Sequence, residues 1–185
     1  MNAIDNLLLR NSISKLGTPY PKDNEMKLVY KAALRAPDHA WLRPSRFIEI
    51  TGKGLDRLSE IFQNYSVNNI KNIDNAKTQK YKNAPYRAPM IIIIISDIRE
   101  HPKVPEIEQI LSTAAAAQNI LLALNALNYG AIWRTGIFAL NERIGEYFKL
   151  DCKQKILGYI YVGTPFGKAK KIPEINIEDF VTKWN

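Results

Sequence analysis

The apolar residues of this chain fall into short helical and strand patterns that are separated by proline and glycine turns. Helical spacing of apolar residues predicts helices over residues 3–9, 24–36, 55–63, 70–82 and 142–148. Apolar runs rich in β-branched and aromatic residues predict strands over residues 47–50, 131–135 and 155–162. Pro37 ends the second helix, because proline lacks the backbone donor that a helix needs.

Two further segments carry most of the predicted core. Five isoleucines follow Met90 without alternating with polar residues, which predicts a strand over residues 90–95 that is buried on both faces. The longest helix is predicted from Pro105 to Tyr129, with Gly130 just after its end. Its apolar residues cover most of its circumference, so we expect a sheet and a partner subunit to shield it.

Unequal helical insertions separate the predicted strands, which favours an α+β fold over a regular alternation of strand and helix. The chain has 185 residues, enough for one core, and it contains no repeat or flexible linker. We therefore expect a single domain over residues 1–185. Residues 164–185 hold prolines and scattered aromatic residues, and we expect them to form an arm that packs across a surface, its own or a partner's.

Composition narrows the class of protein. Apolar residues make up 46% of the chain and charged residues 24%, as is typical of globular proteins. No uninterrupted apolar run approaches the roughly 18–20 residues that span a bilayer, so we expect no membrane association. The single cysteine, Cys152, and the absence of an export signal predict a cytoplasmic protein.

The net charge of +8 invites a nucleic-acid interpretation. Basic residues concentrate between Lys71 and Arg87 and in a second cluster, Lys168, Lys170 and Lys171. Neither cluster has the interleaved aromatic residues or the recognition motifs of nucleic-acid binding, so we expect no nucleic-acid partner. A solvated basic face and the attraction of a small polyanion such as a nucleotide both remain open.

The motifs of common hydrolase, phosphate-loop, dinucleotide and zinc sites are missing from the sequence, and we expect no metal site. Three polar segments, which we call islands, remain. They are Arg10-Asn11-Ser12, Arg35-Ala36-Pro37-Asp38-His39 and Trp133-Arg134-Thr135-Gly136. Arginine and serine are typical phosphate ligands, but solvated loop ends and a packed tryptophan would show the same pattern. Arg134 is harder to explain as packing, because a buried strand end rarely holds an arginine without an anionic partner.

Together with two further motifs, the islands resemble the FMN-dependent nitroreductase family, and within it the short YdjA-type NAD(P)H nitroreductases. The further motifs are Asn83-Ala-Pro-Tyr-Arg-Ala-Pro89 and Gly158-Tyr-Ile-Tyr-Val-Gly-Thr-Pro165. The resemblance covers nearly the whole chain, to Phe180-Val-Thr182. It implies a central, mainly antiparallel or mixed sheet flanked by helices, in an intertwined homodimer with FMN at the interface. The arm of residues 164–185 would then pack on the partner subunit.

The resemblance assigns flavin binding to residues of all three islands. Carried over by motif, they are Arg10, Asn11, Ser12, Arg35, His39, Trp133, Arg134 and Thr135. The nicotinamide nucleotide is associated in this group with the long helix. The corresponding residues are Leu121, Leu122, Ala123, Leu124, Asn125 and Ala126, whose side chains are mostly apolar and also suit a structural role.

Two departures from the family pattern bear on the substrate. Asn11 stands where the family often has a second arginine, so one cation is lost there. Arg43-Pro44-Ser45 stands where relatives usually carry Gln-Pro-Trp, which opens space and adds charge. We therefore expect Trp41 and Arg43 to contribute to a substrate pocket that differs from that of relatives.

The resemblance implies an oxidoreductase in which NADH or NADPH gives a hydride to flavin N5. An electron-poor small molecule, such as a nitroaromatic, a quinone or an activated alkene, then takes the electrons. The flavin carries this chemistry, so no catalytic side chain is expected. The alternative is a flavin-binding carrier or sensor without turnover.

Overall fold

The computed structural model describes residues 2–168 and 170–184. The helices in this part of the chain are α1 (Ala3–Leu9), α2 (Asp23–Ala33), α3 (Lys53–Asn69), α4 (Asn75–Lys82), α5 (Glu106–Ala126) and α6 (Glu142–Glu146). The strands are β1 (Leu16–Gly17), β2 (Ser45–Thr51), β3 (Met90–Asp97), β4 (Gly130–Arg134) and β5 (Gln154–Pro165). Short 3₁₀ turns cover residues 39–41, 85–87, 136–138 and 177–179.

All strand pairs of the sheet are antiparallel. The long strand β5 organises the sheet, because it pairs with β3, with β4 and, at its last residues, with β1. Met90 lies opposite Val162 where β3 meets β5, and Leu16 lies opposite Pro165 where β1 meets β5. Strand β2 pairs with the other edge of β3. The predicted α+β fold with a mainly antiparallel sheet is therefore confirmed.

Helices cover both faces of the sheet, and successive residues of β3 point to opposite faces. Ile91, Ile93 and Ile95 enter a core that includes Phe62 of α3. Ile92 and its neighbours on the other face enter a core formed with α2 and α5. We call these sides the α3 face and the α5 face. All five isoleucines of β3 are buried, as predicted for a strand covered on both sides.

The predicted role of Gly130 at the end of α5 is wrong. The helix ends in a Schellman motif, in which Asn128 adopts a φ of 64° and the Tyr129 amide donates to the Leu124 carbonyl at 2.9 Å. Asparagine tolerates this left-handed conformation, so no glycine is needed there. Gly130 instead begins β4, where a Cβ atom would lie 2.8 Å from side-chain atoms of both Leu16 and Pro165.

Other helix boundaries differ from prediction for local reasons. Helix α2 ends at Ala33, because residues 34–36 form turns before Pro37. Helix α3 continues to Asn69, since Tyr65 and Ser66 also pack in the core. The helix predicted from residue 70 begins only at Asn75, where the Asp74 carboxylate accepts a hydrogen bond from the Lys77 amide at 2.6 Å.

Helix α5 buries one side and exposes the other. Ile120 and Leu124 are fully buried, whereas Ile107 and Leu111 are 57% and 60% exposed. Its length and average hydropathy would suffice to cross a membrane, although the sequence contains no uninterrupted apolar run of that length. This is weak evidence, since the core helices of globular proteins meet the same criterion. The exposed side of α5 is available to a partner subunit. That such a subunit covers it stays a prediction.

The predicted arm begins inside the sheet. Thr164 and Pro165 belong to β5 and pair with β1. From Phe166 onward every described residue is exposed, up to Trp184 at 96%. The described part of the arm is therefore not buried in its own core, and its packing on a partner subunit remains a prediction.

Candidate functional site

The first island lies against the start of β4. Ser12 forms a parallel β-bridge with Ala131, and the Ile13 amide donates to the Ala131 carbonyl at 3.0 Å. Asn11 Nδ2 donates to the Lys170 carbonyl at 3.4 Å, and Lys170 Nζ donates to the Ser12 carbonyl at 3.1 Å. Lys170 of the basic cluster near the C-terminus therefore contacts the first island, although 158 residues separate it from Ser12.

The first island also meets the helical segment that the resemblance associates with the nicotinamide nucleotide. Arg10 and Asn11 share a narrow recess with Leu121 and Asn125 of α5. Leu121 and Leu124 are core residues, 6% and 0% exposed. Leu122, Ala123, Asn125 and Ala126 are less buried, and only they could contact a ligand without a rearrangement of the core. The nicotinamide role of residues 121–126 stays a prediction.

The second island opens a loop with unusual backbone geometry. Ala40, Trp41 and Arg43 have positive φ angles of 57°, 54° and 50°. The Asp38 carboxylate holds the loop by accepting a hydrogen bond from the Arg43 amide at 2.7 Å. Residues other than glycine rarely adopt positive φ, and such strain is concentrated at functional sites. The loop is therefore a candidate binding element.

A cavity of about 410 Å³ lies beside this loop, and it is lined by residues of the loop, of β2 and of α5. Arg35 and Arg43 bring two cations to it, and Ser45 and Ser112 bring hydroxyl groups. The Trp41 ring is 77% exposed, with the Arg43 guanidinium 6.0 Å from its centre. The structure thus brings Trp41 and Arg43 of the predicted substrate pocket together with Arg35, which the resemblance assigned to flavin binding. Both assignments stay predictions.

His39 is not among the residues that line this cavity. Its Nδ1 atom lies 2.7 Å from the Glu108 carboxylate of α5, and the two side chains are 56% and 43% exposed. Such an exposed pair contributes little to stability. His39 is therefore free to contact a ligand, and its predicted role in flavin binding remains a prediction.

The third island divides between the two faces of the sheet. Trp133 packs on the α5 face, where its Nε1 donates to the Leu157 carbonyl at 3.3 Å. Its ring fills the space above Gly158, since a Cβ atom there would lie 2.1 Å from Trp133 Nε1. Arg134 extends over the α3 face, with its guanidinium carbon 5.5 Å from the centre of the Tyr161 ring.

Arg134 and Thr135 line a cavity of about 480 Å³, which we call the cationic cavity. Lys80 of α4 and Arg87 line it too, and no aspartate or glutamate does so among the described residues. Burial raises the pKa of Tyr161 to about 12, although the Arg87 and Arg134 charges act to lower it. The phenol is therefore neutral near pH 7, within the field of both guanidinium groups.

Lys80 and Arg87 were not predicted as individual site residues. The sequence signals for them were the basic segment between Lys71 and Arg87, for which a solvated face and the attraction of a small polyanion were both open, and, for Arg87, the motif from Asn83 to Pro89. Across residues 2–168 and 170–184, no three histidine, cysteine, aspartate or glutamate side chains are grouped as metal ligands. Cys152 is an exposed free thiol.

The three islands line three different cavities of the described chain. The first and third are neighbours through β4, because Ser12 is bridged to Ala131 and Arg134 follows about 10 Å further along the strand. The second island lies after α2 and shares its cavity with Ser112 of α5. None of these three cavities combines the second island with the other two.

Comparison with known sequences identifies close relatives. The sequence model of the Nitroreductase family matches residues 7–164. The Escherichia coli K12 protein named "Putative NAD(P)H nitroreductase YdjA" is 35% identical over 185 residues, which cover 98% of this chain and 99% of that protein. The Haemophilus influenzae protein named "Putative NAD(P)H nitroreductase" is 30% identical, covering 98% of this chain and 99% of that protein.

Solved structures share the fold. The nitroreductase-like family protein from Bacillus cereus has a TM-score of 0.84 at 19% identity, covering 98% of this chain and 95% of that one. A Bacteroides fragilis nitroreductase with bound FMN has a TM-score of 0.74 at 16% identity, covering 100% of both chains. The match of the family model to residues 7–164 and the 35% identity over nearly the full length show that this chain belongs to the nitroreductase family.

Proposed function

We propose that this protein is an FMN-dependent NAD(P)H oxidoreductase that reduces electron-poor small molecules. The observation that carries the proposal is its family membership over residues 7–164, supported by 35% identity to the relative named "Putative NAD(P)H nitroreductase YdjA". The acceptor class remains that implied by the resemblance: nitroaromatics, quinones or activated alkenes.

The donor set of the first and third islands suits FMN. Arg10 and the Lys170 ammonium group lie at the first island, and both are suitable partners for a phosphate. In the third island, Arg134 Nε is buried without a hydrogen-bond partner among the described residues, and a ligand could satisfy it. When bound, FMN would supply hydride transfer at its ring, for which the protein needs no acid or base of its own.

Strand β4 would contribute a rigid surface that orients the planar flavin ring. Strand β4 is held by its pairing with β5 and by the bridge from Ser12 to Ala131. Trp133 is locked by its hydrogen bond to Leu157 and by its fit above Gly158. Binding elements that are rigid before the ligand arrives lose less entropy on binding.

We propose that the functional unit is a homodimer in which the second island of one subunit completes the site of the other. Helices α1 and α2 both pack against α5, and all three expose apolar side chains. Those more than half exposed are Ile4, Leu7, Leu8, Leu9, Leu28, Ile107 and Leu111, and Leu34 directly after α2 is exposed too. Apolar surface of this extent is typical of an interface. A second copy would also bring Arg35 and His39 to a site that one chain does not assemble.

The arm of residues 164–185 would strengthen the same interface. Its exposed apolar side chains have no place in the core of their own chain. They include Phe166, Ile175, Ile177, Phe180 and Trp184. Packing on the partner would remove them from water and would stabilise the dimer.

The cavity beside Trp41 is the proposed acceptor site. An exposed tryptophan offers a stacking surface for an aromatic acceptor, and the cations of Arg35 and Arg43 would favour electron-rich groups such as nitro or carbonyl oxygens. The nicotinamide nucleotide is proposed to lie along residues 121–126 of α5, where the less buried Leu122, Ala123, Asn125 and Ala126 would contact it. The free thiol of Cys152 is consistent with a cytoplasmic protein.

The test is direct. We expect the purified protein to be yellow and to release FMN rather than FAD on denaturation. Under anaerobic conditions NADH or NADPH should bleach the flavin, and a nitroaromatic or quinone should restore the colour. A colourless protein that does not bind added FMN would refute the proposal. A yellow protein that neither nucleotide bleaches would instead indicate a carrier or sensor.

A further inference from the structure

The cationic cavity collects positive charge from three separate parts of the chain. Lys80 comes from α4, Arg87 from the turn before β3, and Arg134 from the end of β4. None of them takes part in a salt bridge in the described part of the chain. Like charges that converge on one cavity without acidic partners repel each other, so the arrangement favours an anionic occupant.

The Arg134 side chain supplies a second, independent indication. Its Nε atom is buried and has no hydrogen-bond partner among the described residues. A buried donor without a partner costs free energy, which a ligand that accepts its hydrogen bond would recover. Tyr161 does not serve as the missing anion, because its phenol stays neutral at ordinary pH.

The walls of the cavity suit a flat ring more than a compact inorganic ion. Aromatic side chains line the cavity together with the cations. They are Phe62, Tyr81, Phe138, Tyr159 and Tyr161. Compact ions are held by dense polar contacts, whereas extended aromatic walls favour a delocalised and partly apolar anion.

We infer that Lys80 and Arg87, together with Arg134, stabilise the negative charge of the reduced flavin ring. The inference rests on the proposed function, and it adds two cationic residues outside the three islands that would act directly on the flavin ring. FMN has negative charge at its phosphate and, when reduced, at its ring. The chain offers cations both beside Ser12, from Lys170, and in the cationic cavity. Positive charge near the ring stabilises the anionic reduced flavin more than the neutral oxidised ring, and so favours the reduced form.

The experiment compares wild type with Lys80→Gln, Arg87→Gln and the double variant. Oxidised FMN affinity is measured by fluorescence titration of apoprotein, and the midpoint potential by anaerobic dye titration. We expect the double variant to bind reduced FMN about tenfold more weakly relative to oxidised FMN. For a two-electron couple this lowers the potential by about 30 mV. Both residues are exposed, so the fold should be retained.

Two controls isolate the effect. Lys77→Gln removes a cation from the same helix outside the cavity, and it should leave the potential unchanged. Arg87→Lys keeps the charge and should retain most of the wild-type potential. A double variant that binds FMN with an unaltered potential would overturn the inference and leave the proposed function intact. Failure of the wild type to bind FMN would refute the proposed function itself.

Discussion

Trp133 and Arg134 are adjacent in β4, yet their side chains lie on opposite faces of the sheet. Trp133 Nε1 donates to the Leu157 carbonyl at 3.3 Å on the α5 face, and the Arg134 guanidinium lies 5.5 Å from the Tyr161 ring on the α3 face. Alternation along a strand imposes this separation. The tryptophan therefore fixes the position of the strand edge, while the arginine carries charge into the cationic cavity.

Replacing Arg10 by alanine should weaken FMN binding. A hydrogen bond to a charged group contributes about 1.5–3 kcal/mol, which corresponds to roughly one to two orders of magnitude in the dissociation constant. Fluorescence titration of apoprotein measures the change. Arg57→Ala removes an exposed arginine from α3, away from the described cavities, and should have no effect. Equal affinities in wild type and Arg10→Ala would remove Arg10 from the site.

A negative charge introduced on the exposed side of α5 should disrupt the proposed dimer. Ile107→Glu and Leu111→Glu place a carboxylate on side chains that are 57% and 60% exposed in one chain, so each monomer should still fold. We expect a shift to monomer together with loss of FMN. Size exclusion with light scattering, read at 280 nm and at about 450 nm, follows both the mass and the flavin.

The matched control for this experiment is Val67→Glu. Val67 is 53% exposed and lies on α3, on the opposite side of the sheet. The Val67→Glu variant should leave both the molecular mass in solution and the flavin content unchanged. Leu121 is unsuitable for the test, because it is 6% exposed and a charge there would disrupt the core. A wild-type monomer that keeps stoichiometric FMN would show that the proposed assembly is wrong.

Gly158→Ala should destabilise the fold. A Cβ atom would lie 2.1 Å from Trp133 Nε1 and 2.8 Å from the Arg134 carbonyl oxygen, and the φ of Gly158 is 150°. Overpacking of this kind costs about 1–3 kcal/mol, measurable by urea unfolding. Gly145→Ala, where the nearest contact is an ordinary 3.5 Å, should be neutral or slightly stabilising. Unchanged unfolding of Gly158→Ala would mean that Trp133 can move aside without cost.

Stability should fall between pH 10 and pH 12. Burial raises the pKa of Tyr161 to about 12, above its ordinary value of 10.0, so the unfolded chain loses the phenolic proton first. The contribution of Tyr161 is complete below pH 10 and is lost as pH rises through 12. At about 1.4 kcal/mol per pKa unit, the loss approaches roughly 2–3 kcal/mol.

Urea unfolding at a series of alkaline pH values measures this loss. Tyr161→Phe removes the ionisable group and should reduce the pH dependence. Tyr20→Phe removes an exposed tyrosine and should leave that dependence as in the wild type. Parallel pH profiles for wild type and Tyr161→Phe would show that Tyr161 does not titrate abnormally.

The sequence by itself determined the local elements and the family. The isoleucines after Met90 predict a doubly buried strand, and all of them are buried. This element could be predicted because the preference for a strand and the pattern of apolar residues are local properties of the sequence. Helix α1 is observed over the predicted residues 3–9 for the same reason. The islands could be recognised as candidates because their residue types are unusual at the ends of apolar elements.

Only the tertiary structure decided which of these residues meet. Gly130 and Gly158 are required by side chains that approach from distant parts of the chain, which no local pattern reveals. Lys80, Arg87 and Arg134 converge because α4 packs beside α3, on the face of the sheet toward which the Arg134 side chain extends from the end of β4. Such contacts depend on strand register and helix packing, which many weak long-range interactions determine together, so the cationic cavity could not be predicted from the sequence.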